Sequence, residues 1–370
     1  MQGASHTVSI DEERRWRLVR VLLAFNLVAF VAMYLSGQWD IAEHAKGAVD
    51  TFWYPPHYGI YFGLLVAALI PLTGLIVLLR APGLPFDKVR ANPALVLVIV
   101  ANGLGFSGAP FDAWWHQTFG LDLTVWSPPH LHLVFGTVLA ALSCAVYFLD
   151  ESPLHAPLQL FRSISGRQAM LIFTLAWALL MAAVLFIEYE GGVQTPDVRA
   201  RPLWSYPLLW PGFAVGFIAL FAAFTRSIGM ASVVMVAYML VRLAILGFDQ
   251  VVLDFRGFPA YPLIIPALVF DLVLVAMLGR ARERRLWETL AIAGLVTSAV
   301  IVLTTPLFWS WMDITPRMNV SPWRDYWLIG LGSGMLGTYL GWWCGSGLRR
   351  LRPKAQVAQP AVFDTRALVH

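Results

Sequence analysis

Residues 131–149 read LHLVFGTVLAALSCAVYFL, nineteen positions without a formal charge, directly behind Trp126-Ser-Pro-Pro-His130. As a helix rising about 1.5 Å per residue, such a run crosses a hydrocarbon core of about 30 Å. Nine more long apolar runs surround it, with at most one charged residue each, at 18–36, 58–79, 93–110, 168–187, 207–225, 228–248, 261–279, 287–306 and 327–346. Apolar residues make up 58% of the 370 and charged ones only 13%, which leaves no room for a sizeable soluble domain. The expected fold class is all-α: a polytopic integral membrane protein of about ten transmembrane helices, arranged as five hairpins.

Charge placement orients the array. Nineteen of the 26 basic residues fall at one set of helix ends, among them Arg14, Arg15, Arg17 and Arg20 before the first run and Arg280, Arg282, Arg284 and Arg285 after the eighth. Six lie at the other ends and Arg242 sits inside a helix. The positive-inside rule then predicts both termini in the cytoplasm of a multi-pass protein of the inner (plasma) membrane. The net charge of +4 is a topology signal, so the lipid bilayer is an expected partner and nucleic acid is not. The charged leader lacks a convincing small-residue cleavage site, so 18–36 reads as a first helix and not as a signal peptide. The chain divides into a cytoplasmic segment 1–17, two motif-bearing hairpins 18–149, three further hairpins 150–346 and a cytoplasmic tail 347–370. Cys144 and Cys344, far apart in apolar helices, read as buried free thiols.

His130 belongs to a pattern that occurs twice. The first copy runs Asp40, His44, Asp50 and Trp53-Tyr-Pro-Pro-His57; the second runs Asp112, His116, Asp122 and Trp126-Ser-Pro-Pro-His130, with one extra residue inside it. Four of the chain's eight histidines fall in register within this repeat. Residues four apart share a helix face, so Asp40 can point with His44, and Asp112 with His116, at one atom. A Pro-Pro pair suits the start of a helix, which puts His57 and His130 on the first turn of each returning helix and folds them back toward the other two. Each loop could then offer two imidazoles and one carboxylate. That set suits copper, with iron or zinc as the other candidates. His132 is a reserve ligand, Asp50 and Asp122 are candidate partners for orienting an imidazole, and Trp53, Trp114, Trp115 and Trp126 are candidate walls.

The motif loops face the periplasmic or extracellular side in this reading. The later loops there add Glu188, Glu190, Asp197, Asp249, Asp254, Asp313 and Asp325, an acidic rim that fits a cation better than an anionic substrate. Their Trp, Tyr and Pro also match ordinary interfacial composition. Inside the helices, Arg242 and Asp271 read as a pair joining neighbours, and Asn26 and Asn102 as interhelical hydrogen-bonding groups.

At His116-Gln-Thr, Asp122-Leu-Thr and Ser-Pro-Pro-His130 the chain resembles the C subunit of the copper membrane monooxygenases, the particulate methane and ammonia monooxygenases. The resemblance covers two hairpins of five. It implies an Asp-His-His copper site near the outer membrane face, with Asp112, His116 and His130 as catalytic ligands and Asp40, His44 and His57 as a matching set. The expected function is thus a metal-dependent membrane oxidoreductase acting on a small apolar or amphipathic substrate, with electrons from a quinol or a redox partner. The alternatives are a non-catalytic protein that binds or transports metal, and a metal-dependent hydrolase or hydratase. Homo- or hetero-oligomerisation is left open by the sequence.

Overall fold

The computed structural model describes residues 10–47, 51–120, 124–149, 164–186, 205–255, 257, 261–278, 286–311 and 326–353. Helices cover all ten predicted runs: α1 (Ile10–Ala45), α2 (Pro55–Leu79), a short α3 (Pro85–Ala91), α4 (Pro93–Phe119), α5 (Pro128–Phe148), α6 (Gly166–Ala183), α7 (Ser205–Thr225), α8 (Met230–Val251), α9 (Ile264–Leu278), α10 (Leu286–Trp311) and α11 (Trp327–Arg350). No strand occurs among the described residues. Eight of these helices are long and apolar enough to cross a bilayer: α1, α2, α4, α5, α6 with its 3₁₀ extension to Phe186, α7, α8 and α10. The core of α9 is apolar but short, and the glycine-rich α11 falls below the same hydropathy level. The protein is an all-helical, multi-pass membrane protein.

The first two hairpins are built alike. Pro55-Pro56 and Pro128-Pro129 open α2 and α5, where their missing N–H groups cost nothing. Seven residues beyond the second proline of each pair, Gly63 and Gly136 let the helices close up. A Cβ on Gly63 would meet Ala29 O at 3.0 Å, and one on Gly136 would meet Ala101 O at the same distance. Ala29 and Ala101 occupy matching positions of the repeat, so the packing is duplicated along with the motif. Its extra residue shows as well. Gly47 (φ 88°) bonds back to His44 O and Gly120 (φ 91°) to His116 O, three residues on in one copy and four in the other. Each glycine has the positive φ that a side chain would disfavour, which suits it to the end of a helix.

The remaining helices depart from a plain row of hairpins. α7 packs most extensively against α11, and α6 lies against α5 and α8. The reason is a seam of small residues: Cβ atoms on Gly337, Gly341 and Gly345 would fall within bonding-like range of the Gly212, Gly216 and Leu220 carbonyls. Only glycine permits that approach, and close backbone packing is what drives helix association in a bilayer. The predicted third hairpin is therefore two neighbours in sequence that meet through Phe186, whose ring sits among Tyr206, Trp210 and Phe213.

Basic side chains gather at the end opposite the motifs, where they cap helix carbonyls. Arg349 donates to Phe224 O at 2.8 Å, Lys88 to Leu79 O at 2.9 Å, and Arg167 and Arg352 both reach Leu149 O. The predicted Arg242–Asp271 pair is not what joins α8 to α9. Asp271 Oδ2 accepts from the Ser232 amide at 3.0 Å and its hydroxyl at 2.5 Å, capping the first turn of α8. Arg242 lies ten residues further on, about 15 Å along the helix, and donates to Tyr34 Oη at 3.1 Å. Asn26 makes an interhelical contact to Cys144 Sγ at 3.7 Å, whereas Asn102 has no hydrogen-bond partner among the described residues. Cys144 is buried, but Cys344 is exposed, which corrects the expectation for it.

Candidate metal centres

Helix α1 continues to Ala45, beyond the apolar run, and so carries Asp40 and His44 on one face. The turn at 51–54 then sets His57 opposite them: Asp40 Oδ1 stands 3.4 Å from His44 Nε2 and 3.2 Å from His57 Nε2. The second copy repeats this, with Asp112 Oδ1 3.4 Å from His116 Nε2 and 3.5 Å from His130 Nε2. In each set the three ligand atoms lie within 4.8 Å of one another. Two donors each bound at about 2.0–2.1 Å to one ion stand about 2.9 Å apart at a right angle and about 3.4 Å apart at the tetrahedral angle. Three of the carboxylate–imidazole separations fall in that range and the fourth, His130 to Asp112, is 0.1 Å beyond it, so the residues present fit a shared ion.

Three of the four imidazoles are held in the tautomer a metal needs. His130 Nδ1 lies 2.6 Å from Thr124 O, His116 Nδ1 3.2 Å from Gly120 O, and His57 Nδ1 3.3 Å from Phe52 O. A backbone carbonyl only accepts, so each Nδ1 carries the proton and each Nε2 presents its lone pair to the carboxylate side. Tyr61 Oη adds a second polar neighbour to His57 Nδ1 at 3.5 Å. Sequence reasoning assigned this orienting role to Asp50 and Asp122, which lie outside the described residues, as do the later acidic positions Glu188, Glu190, Asp197, Asp313 and Asp325. It missed the carbonyls of Phe52, Gly120 and Thr124. Of these only Gly120 left a signal, a glycine shortly after the motif histidine, repeated at Gly47.

His132 belongs to neither set. Two residues past His130 it is rotated by about 200° around α5, and its Nε2 lies 2.9 Å from Ser107 Oγ on α4. The four tryptophans do not wall the site either. Trp53 and Trp114 are mostly exposed, Trp114 and Trp115 pack with Phe111 and Phe119, and Trp126 donates to Leu185 O at 2.9 Å.

The walls come instead from both hairpins at once. A cavity of about 260 Å³ is lined by Asp40, His44 and His57 and also by Asp112 and His130. Gly37, Ile60 and Tyr61 of the first hairpin face it, as do Ala109, Leu133 and Val134 at the matching positions of the second. A second hollow of about 190 Å³ adjoins it through His57, Tyr61 and Asp112 and reaches His116. Met181 and Val184 of α6 and Phe255 of the α8–α9 connection complete the larger chamber. Lys46 ties that connection down by donating to Leu253 O at 2.9 Å while pairing with Glu43 at 3.6 Å. No protein-family model, curated protein or solved structure matches this chain.

Proposed function

We propose that the chain is a metal-dependent oxidoreductase of the bilayer, with copper as the favoured ion, acting on a small apolar or amphipathic molecule held between two metal centres. The observation that carries this reading is the pair of Asp-His-His sets, each with ligand spacing that fits one ion, facing a single mostly apolar chamber. The resemblance to the copper membrane monooxygenases at Asp112, His116 and His130 agrees with it. Copper held there would supply redox chemistry with dioxygen, with electrons drawn from a quinol or a protein partner. The chain's own contribution is positional. Asp40 and Asp112 balance positive charge, the Phe52, Gly120 and Thr124 carbonyls fix ring orientation, and the apolar walls keep water from competing with substrate. Three protein ligands per ion leave a position open for a reactant.

In this proposal all ten helical stretches span the inner membrane as alternating passes, with both termini cytoplasmic and the triads near the outer face. The basic residues capping helix ends opposite the motifs favour that orientation. A second reading, a zinc hydrolase or hydratase, is favoured by one observation: separations of 3.2–3.5 Å suit zinc as well as copper.

The test is elemental analysis with electron paramagnetic resonance on protein purified without chelator. One redox-active ion per triad is expected, with one lost in His44→Ala/His57→Ala and the other in His116→Ala/His130→Ala. Metal content no higher than in the quadruple variant would end the proposal. Redox-silent zinc in both sites would move it to the hydrolytic reading.

A further inference from the structure

We propose that the chamber between the triads binds one uncharged amphipathic molecule, an apolar body of one or two rings with a single hydrogen-bond donor that meets Gln38 Oε1. Its size sets the body. A volume of about 260 Å³ exceeds the roughly 150 Å³ of an apolar cavity that takes up benzene, and falls short of the roughly 300–1,000 Å³ of drug-sized sites. A one-carbon molecule leaves most of that space unfilled, and a quinol with an isoprenoid tail does not fit.

Chemistry sets the rest. Met33, Ile41, Ile60, Leu133, Val134 and Met181 give apolar walls. Among the described residues no Lys or Arg lines the chamber, so it offers an anion no permanently charged side chain. Besides the triad residues and the tyrosines Tyr34 and Tyr61, Gln38 is the polar side chain of the lining. It is 1% exposed, and its Oε1 is buried with no hydrogen-bond donor among the described residues. A buried carboxamide oxygen is costly unless a donor reaches it, so the site favours a ligand that brings one. Gln38 lies on α1 and lines the chamber together with Asp40, His44 and His57, which seats the donor end of the ligand on the first hairpin's side. Simple phenols and cyclic alcohols are the class that combines these properties. That such a molecule is the substrate rests on the metal-centre reading; that it binds does not.

The experiment uses the full chain in lipid nanodiscs, with metal removed by chelator. Binding of 4-fluorophenol and fluorobenzene is followed by fluorine NMR against empty nanodiscs, and metal uptake is measured on parallel samples. The wild type should prefer 4-fluorophenol by about tenfold beyond its partitioning into lipid, as one buried hydrogen bond allows. Gln38→Leu should bind fluorobenzene unchanged and lose the preference. Leu133→Phe and Ile60→Phe, on opposite half-buried walls, should each lose both probes while melting temperature and metal uptake stay near wild type. The same preference in wild type and Gln38→Leu would overturn the assignment, as would binding indifferent to both Phe variants. Probe binding by a protein that takes up no metal would remove the metal-centre reading and leave this site standing.

Discussion

Gly136→Ala is the substitution that most directly couples helix packing to the second triad. An added Cβ would lie 2.5 Å from Gly105 N and 2.8 Å from Gly105 Cα, both backbone atoms that cannot swing aside. Restoring ordinary contact at about 3.4 Å requires α5 to recede from α4 by up to about 0.9 Å. His130 sits six residues up the same helix, about 9 Å away, and moves with it. A shift of that size takes the His130–Asp112 separation from 3.5 Å to about 4.4 Å, beyond the roughly 4.1 Å that two bonds of about 2.05 Å can bridge. Overpacking should also cost about 1–3 kcal/mol of stability. The assay is metal titration in a His44→Ala/His57→Ala background, so that only the second triad reports, with thermal unfolding recorded alongside. Affinity should fall about ten- to a hundredfold, the range that misplacing a metal-bound imidazole costs. Gly63→Ala, tested with the second triad removed, should do less, because its tightest contact, Met33 Cβ at 2.8 Å, asks for a smaller retreat than the 2.5 Å contact at Gly136. Unchanged affinity with an unchanged melting temperature in Gly136→Ala would refute the coupling.

Three other substitutions or fusions probe different parts of the argument. Asp112→Asn keeps the side chain's shape but removes a negative charge, so metal affinity or redox potential at the second triad should change with expression near normal; equal turnover per bound ion in both proteins would show that Asp112 is not a functional ligand. Asp271→Leu strips the Ser232 amide and hydroxyl of their acceptor at the start of α8, and should lower stability by about 1–3 kcal/mol, read as a lower melting temperature with both triads still loaded. A reporter at Lys354 should read cytoplasmic and one inserted in the 191–203 loop should read periplasmic; the same side for both would break the alternating ten-pass arrangement.

The apolar runs marked every long helix because bilayer thickness imposes a length that composition alone reveals. The Asp-x3-His spacing and the Pro-Pro pairs were equally legible, since helix periodicity and proline sterics act locally: the structure gathers Asp40, His44 and His57, and separately Asp112, His116 and His130. What stayed hidden depends on depth and on partners distant in sequence. Arg242 and Asp271 are both intramembrane charges, but pairing needs a common level across two helices, and only the packed structure shows them three turns apart. The Thr124, Gly120 and Phe52 carbonyls orient imidazoles without any residue type announcing it. Tryptophan near a motif suggested a wall, but which face of α4 carries Trp114 matters more than how near it lies to Asp112.

The equivalence of the two halves of the chamber has a consequence for how it can change. Two separate copies of one hairpin, meeting about an exact axis, would have to present the same residue on both walls, and any substitution would strike twice. Joined in a single chain, the walls are released from that bond. Tyr61 already faces the chamber where Val134 stands on the other side, and Gly37 where the other side has Ala109. The ligating residues have stayed alike while their surroundings have drifted, so a molecule lodged there meets a left and a right that differ. A distinction between the two ends of a bound molecule, which walls related by an exact twofold axis could not make, comes with the fusion.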